Sequence, residues 1–215
     1  MNNDIEHRIE DGFVGTVKGV VSTIPGASIL VSAYEELQSG IFKRRMDEWK
    51  EAVEERLGKL ECDAINSLPN NDLFATVLLI SAQLVLKTNK EKAKLLANAV
   101  ANSATTALSE DRVIILLNCI EKYTIPHLRL LRFLQNPKEY SSKDNYVGGS
   151  TMTIYYNYYP NTDKSLDSIV IRDLYADGFI CTDSLNAIMT SSGMVEKRTT
   201  SLGDDMIEFF SIEKM

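Results

Sequence analysis

The feature that most constrains the fold is a long series of apolar residues spaced three and four positions apart, from Ser28 to about Glu61. That spacing places the apolar side chains along one face of a helix. The opposite face is densely charged and includes Glu55 and Lys59, whose four-residue spacing stabilises a solvated helix surface. We therefore predict a long amphipathic helix. Its apolar face comprises Leu30, Tyr34, Leu37, Ile41, Phe42, Met46, Trp49, Val53, Leu57 and Leu60.

Further helices are predicted as far as residue 137. The stretch after Asn71 and Asp72, either of which can cap a helix, is apolar on nearly every side, which is typical of a central buried helix. Small residues in the next helix would allow close packing with its neighbours. Pro126 then interrupts the helical pattern, and Thr124 is placed to cap a new helix behind it. We predict an α-helical bundle over residues 1–137 with antiparallel neighbours.

A change of character after Pro137 indicates a second region. Residues 138–164 are predicted to be a linker followed by an aromatic loop or strand, "TMTIYYNYYPN". In residues 165–215 the pattern predicts a helix that ends at Gly178 in a left-handed conformation, then a short helix at "DSLNAIM". A short strand at "GMVEKRTT" and a last helix at "SLGDDMIEFFS" are predicted to follow. The expected fold is mainly α: a helical bundle with a small C-terminal α+β module of winged-helix type.

Composition favours a soluble, cytoplasmic protein. The net charge of −7 argues against general affinity for nucleic acid or anionic lipid, which requires clustered Lys and Arg. No apolar run reaches the length of about 18 residues expected of a transmembrane helix. The three cysteines are far apart and include no CxxC pair, so we expect neither a disulfide framework nor a zinc site.

Motifs for catalysis are missing from the sequence. The chain has 2 histidines, and His127 follows Pro126, where helix capping or packing accounts for it. "KYTIPH" differs from the Arg-x4-6-His element of helical ribonuclease domains because a lysine replaces the arginine. "DLYADGFICTDS" lacks the side-chain oxygens of a calcium loop, and no phosphate-binding or nucleophile-elbow motif occurs. We therefore expect no enzyme activity, no catalytic residue, no cofactor and no metal.

Two weakly charged stretches are candidate contact surfaces. In the first, residues 13–34, an apolar stripe lies on one side of a predicted helix and small, weakly polar residues lie on the other side. This pattern favours burial in the protein's own core. Contact with a partner or second subunit, and engagement of a membrane, remain alternatives for this stretch. The second stretch is "YYNYY", residues 155–159. It lacks the basic residues that a surface for stacking nucleic-acid bases also needs. Internal packing is therefore favoured, with a protein contact as the alternative. The candidate residues are Phe13, Val17, Val20, Val21, Ile24, Tyr155, Tyr156, Tyr158 and Tyr159.

Three segments together resemble a known bacterial pattern. "IPGASILVSAYEELQSGIFKRRMDEWKEAVEERL" is similar to an apolar Pro-Gly segment leading into a long helix, and "IEKYTIPHLRLLRFLQNP" to a later helix pair. "LYADGFI…TTSLGDDMIEFF" resembles a C-terminal "LxxxGLI" followed by "TxxGxxFLxF". This plan resembles the abortive-infection alpha-type proteins of antiphage defence and covers most of the chain except residues 138–165. The resemblance implies a role in defence or cell arrest without identifying a biochemical step.

The combined expectation is a non-enzymatic bacterial interaction or effector protein, in antiphage defence, that acts through contacts with a protein partner or with itself. One alternative is a membrane-permeabilising effector that uses residues 13–34. Another is a DNA-binding protein that uses the winged-helix-like module, although the acidic balance of the C-terminal region disfavours nucleic acid.

Overall fold

The computed structural model describes residues 40–60, 62–141 and 148–212, and this part of the chain is mainly α-helical, as predicted. Contacts divide the chain after Glu121 into two compact units. The α-helices of the described residues are α1 Gly40–Leu57, α2 Cys62–Ser67, α3 Asp72–Val85, α4 Lys90–Ser103, α5 Glu110–Lys122, α6 Ile125–Gln135, α7 Thr151–Tyr158, α8 Asp167–Ala176, α9 Ser191–Met194 and α10 Ser201–Phe209. Short 3₁₀ helices occupy Leu68–Asn70 and Pro137–Tyr140.

In the first unit, α4 packs against both α1 and α3. Small residues make this possible, because Ala97 and Ala99 are fully buried and let the neighbouring helices approach closely. The apolar face predicted for the first helix is buried at Met46, Trp49, Val53 and Leu57, whereas Ile41 and Phe42 in its first turn are exposed. The core of this unit therefore lies between α1, α3 and α4.

Polar side chains fix the ends of these helices. Asn71 caps α3 as predicted, since its side chain accepts a hydrogen bond from the backbone N–H of Phe74 at 2.9 Å. At the end of α5 the buried Lys92 donates from Nζ to the backbone oxygen of Glu121 at 3.1 Å. Burial lowers the pKa of Lys92, while the nearby charge of Glu121 opposes that change. A cation at a helix C-terminus also interacts favourably with the helix dipole.

The second unit is organised around α6. Leu128, Leu131 and Phe133 of this helix are fully buried, and both α8 and α10 pack against it. The helix begins behind Thr124, with Pro126 in its first turn, where the missing proline N–H breaks no helical hydrogen bond. The predicted restart at Pro126 is therefore confirmed.

The predicted C-terminal winged-helix module is wrong. The aromatic segment expected to be a strand or loop forms helix α7, which the side chain of Ser150 caps by accepting a hydrogen bond from the N–H of Thr153. The predicted strand at 193–200 contributes one isolated bridge, between Thr199 and Ile180. Residues 183–188 form bends, a turn and irregular backbone instead of the predicted helix. Residues 148–212 contain two isolated bridges but no β-strand, so they lack the sheet that a winged-helix module requires.

The N-terminal predictions fall outside the described residues. Of the helix predicted from Ser28 to about Glu61, the structure describes the part that forms α1. The candidate residues of the first stretch lie before Gly40: Phe13, Val17, Val20, Val21 and Ile24. The three interpretations of that stretch therefore remain predictions. The predicted domain boundaries also remain predictions. Among the described residues, no helix combines the length and the apolar character needed to cross a membrane.

Candidate interaction surface

Six aromatic rings of the second unit pack together, and we call them the aromatic cluster. Tyr155 of α7 lies edge-on to Phe133 of α6, with ring centres 5.1 Å apart. Tyr140 also lies edge-on to Phe133, with ring centres 5.2 Å apart, and to Tyr158, with ring centres 4.8 Å apart. Edge-to-face geometry of this kind adds stability beyond the area buried. The members are Phe133, Tyr140, Tyr155, Tyr156, Tyr158 and Tyr159.

The four tyrosines singled out in the sequence have different environments within this cluster. Tyr155 is a core residue with 2% of its surface exposed. Tyr156 and Tyr159 are half-buried. Tyr158 is 46% exposed and lies at the edge of the cluster. Ring packing thus occupies much of this surface, and the prediction of a partner contact rests mainly on Tyr158.

Charged side chains border the cluster. The hydroxyl of Tyr156 donates a hydrogen bond to Asp167, and the Lys164 ammonium lies 4.4 Å from the centre of the Tyr156 ring. The Arg129 guanidinium lies 5.3 Å from the centre of the Tyr159 ring. Burial raises the pKa of Tyr155, Tyr156 and Tyr159 above the usual value, so these phenols remain neutral near pH 7. Their role here is packing and hydrogen bonding.

A second surface was not anticipated from the sequence. Helix α8 buries Val170, Ile171 and Leu174 on one side, yet its other side also carries large apolar residues. Leu166, Ile169 and Tyr175 are 42%, 43% and 47% exposed, respectively. We define the outer face of α8 as the exposed residues Leu166, Ser168, Ile169, Arg172, Tyr175 and Ala176.

The outer face of α8 contrasts with the solvated side of α1. Exposed residues of α1 include Arg44, Glu48, Glu51 and Glu55, as the sequence predicted. The outer face of α8 carries one charge, Arg172, whose guanidinium lies 3.2 Å from a carboxylate oxygen of Asp173. The signal in the sequence is the excess of apolar residues in "LDSIVIRDLYA", which is more than one buried stripe can use.

A polar network surrounds the beginning of α6. His127 accepts at Nδ1 from the backbone N–H of Thr124 at 3.2 Å, which confirms the predicted capping role. The Tyr123 ring stacks on the imidazole, and its hydroxyl donates to Asp177 at 2.8 Å. Lys122 also donates to Asp177, at 2.7 Å. The network contains a His and carboxylates, and its hydrogen bonds hold the start of α6 next to the end of α8, although Nε2 of His127 makes no hydrogen bond.

A cleft of about 190 Å³ between α1 and α4 offers little selectivity for a charged ligand. Carboxylates of Glu48 and Glu51 line it together with the ammonium groups of Lys90 and Lys94. Glu48 and Lys90 already face each other at 3.4 Å. Across residues 40–60, 62–141 and 148–212, no group of three or more His, Cys, Asp or Glu side chains is arranged to hold a metal ion.

Comparison with known proteins does not assign a function to the aromatic cluster or to the outer face of α8. The chain matches no protein-family model, no curated protein and no solved structure.

Proposed function

We propose that this chain is a non-enzymatic interaction protein and that the outer face of α8 is its contact surface for a protein partner. The observation that carries the proposal is the exposure of Leu166, at the N-cap of α8, and of Ile169 and Tyr175 within a helix whose other side is already packed in the core. Scattered single apolar residues are normal on protein surfaces, whereas contiguous apolar patches mark interaction sites, and the proposal takes these residues as one such patch.

The chemistry of the outer face of α8 supports a protein as the ligand. Tyr and Arg, here Tyr175 and Arg172, are the residue types enriched at the energetic centres of protein interfaces. The single positive charge is insufficient for a nucleic-acid surface, whose affinity comes from several Lys and Arg contacts to phosphates. The low charge of this face also favours a partner that buries it over one held by long-range electrostatic attraction.

Site-specific photo-crosslinking tests this contact in the cells that naturally produce the protein. A benzophenone side chain in place of Tyr175 should give one discrete adduct with a partner, because this position lies on the outer face of α8. The same group in place of Ile188, which is 91% exposed but not on α8, should not give that adduct. Adducts are detected as mass shifts of the tagged full-length chain.

A second substitution makes the crosslinking result specific. Ile169→Lys, added to the chain that carries the crosslinker at position 175, should abolish the adduct because a charge would be buried in the contact. Ile188→Lys, the matched control, should leave the adduct at its original yield. An adduct that resists Ile169→Lys, or equal adducts at positions 175 and 188, would contradict the proposed surface.

The cellular setting that we propose, from the resemblance described above, is antiphage defence in bacteria. If this is correct, production of the full-length protein in a susceptible strain lowers the plating efficiency of at least one phage by about tenfold or more. Ile169→Lys should restore plating, whereas Ile188→Lys should not. Unchanged plating across a broad phage panel would refute the defence role and leave the crosslinking result as a separate test of the contact surface.

A further inference from the structure

The capping of α6 depends on one protonation state of His127. Thr124 donates its backbone N–H to the imidazole Nδ1 at 3.2 Å, and the Thr124 hydroxyl lies 2.9 Å from the same nitrogen. An imidazole nitrogen that accepts an N–H carries no proton of its own. The proton of the neutral ring is therefore on Nε2. This nitrogen lies 3.7 Å from the Asp173 carboxylate, beyond hydrogen-bond distance.

Protonation of the ring would remove this cap. A proton on Nδ1 turns the nitrogen into a donor, so the N–H of Thr124 loses its acceptor and the Thr124 hydroxyl, 2.9 Å away, must accept a hydrogen bond from the ring. The free N–H groups at a helix start need acceptors, and the loss of a side-chain cap destabilises the first turn. His127 is 6% exposed, so a charged imidazolium could not be solvated without local movement.

Charged groups around His127 act in both directions. Asp173 of α8 and Asp177, directly after α8, favour the protonated ring, whereas Lys122 at the end of α5 disfavours it. Arg172 partly neutralises Asp173, and Lys122 is paired with Asp177. Burial is the largest effect and lowers the pKa of His127 below its usual value.

The other elements packed on α6 place their charges at its far end. Asp204 of α10 accepts a hydrogen bond from Gln135 at 3.3 Å. Glu139 of the second 3₁₀ helix lies 3.7 Å from Arg132. Both contacts lie at least one turn beyond His127, so the network at the start of α6 controls its protonation.

We propose that the start of α6 is an acid-sensitive switch, in which protonation of His127 opens the Thr124–His127 capping box and releases the first helical turn. Lys122 and Tyr123 hold the adjoining backbone to Asp177 of α8. Opening would therefore loosen one edge of the contact between α6 and α8. This regulation goes beyond the contact proposed for the outer face of α8 and does not depend on it.

The direction of the pH effect follows from linkage. The ring binds its proton more weakly when the turn is closed than when it is open, where the ordinary pKa of about 6.5 applies. The closed turn is fully stable above that value and loses stability as the pH falls. Between the two pKa values the opening equilibrium constant rises by up to about tenfold per pH unit.

Amide hydrogen exchange of Thr124 tests the switch directly, because this N–H is the one that His127 accepts. The full-length protein is compared from pH 7.5 to pH 5, with each rate divided by its intrinsic value at that pH. We expect protection of the Thr124 amide to fall by up to about tenfold per pH unit below about pH 6.5. Protection that stays constant over this range would overturn the proposal.

His127→Gln is the matched control, because glutamine at this position of a capping box accepts the same N–H and does not titrate. Its Thr124 amide should keep constant protection over the range. An equal pH response in both proteins would overturn the proposal. A further measurement follows the titration of the His127 ring in a folded His7→Gln variant, in which His127 is the remaining histidine. The titration midpoint must lie below the usual pKa and within the pH range in which the Thr124 amide loses protection. A titration outside that range would also overturn the proposal.

Discussion

Gly203→Ala should cost the second unit about 3 kcal/mol or more of its free energy of unfolding. An added Cβ would lie 2.2 Å from the backbone oxygen of Phe179, far inside van der Waals contact. That oxygen already accepts the N–H of Thr200 at 3.0 Å, so it has little freedom to withdraw. Overpacking alone typically costs about 1–3 kcal/mol, and loss of the hydrogen bond adds about 1 kcal/mol. Urea unfolding followed by circular dichroism measures the loss.

Gly40→Ala provides the matched control for that substitution. Gly40 is also helical, but an added Cβ there meets nothing within 4 Å. Its replacement should leave the unfolding midpoint unchanged or raise it slightly, because alanine favours helix by up to about 1 kcal/mol over glycine. Equal midpoints for the two variants would mean that α10 does not approach Phe179 as closely as described.

Phe133→Ala should destabilise the second unit by about 3–5 kcal/mol, the usual cost of removing a fully buried phenylalanine. Phe133 has no exposed surface, and its ring packs edge-on against both Tyr140 and Tyr155. Its loss would leave a cavity at the centre of the aromatic cluster and remove two edge-to-face contacts. The free energy of unfolding from urea titration, with the slope checked for two-state behaviour, is the quantity to compare.

Tyr158→Ala distinguishes the centre of the aromatic cluster from its edge. Tyr158 is 46% exposed, so its truncation should cost only about 1 kcal/mol. Phe133→Leu, which keeps most of the buried volume, should fall between the two alanine variants. If Tyr158→Ala lowers the free energy of unfolding as much as Phe133→Ala does, the exposed ring of Tyr158 stabilises the aromatic cluster as strongly as the buried ring of Phe133, which contradicts the prediction.

Local features were predictable from the sequence where one residue and its near neighbours determine the geometry. Asn71 and Thr124 begin helices as predicted, and Gly178 adopts φ +80° behind α8. A cap needs only the backbone groups three residues away, so its signal is contained in a few positions. The same reason explains why capping by His127 was foreseen.

Features that depend on distant residues were missed. The tyrosines and threonines of α7 have high strand propensity, but this preference reflects packing on a sheet and not an intrinsic backbone requirement. Here Phe133 provides a packing partner and Ser150 provides a cap, so the segment is helical. The outer face of α8 was missed because exposure depends on which side the rest of the unit covers.

Sequence alone also could not show which carboxylates face His127. Asp173 lies 46 positions further along the chain, and its approach to the ring depends on how α8 packs on α6. The cap was therefore predictable, whereas the charged surroundings that make it sensitive to acid were not.

The distribution of aromatic residues gives each unit its own optical signal. Trp49, the 1 tryptophan of the chain, is buried in the first unit, so its fluorescence reports on that unit alone. The aromatic cluster of the second unit contains no tryptophan, and its closely packed tyrosines should give a strong near-ultraviolet circular dichroism signal. Melting of the two units can thus be followed separately in the unmodified protein, without a dye or an introduced label.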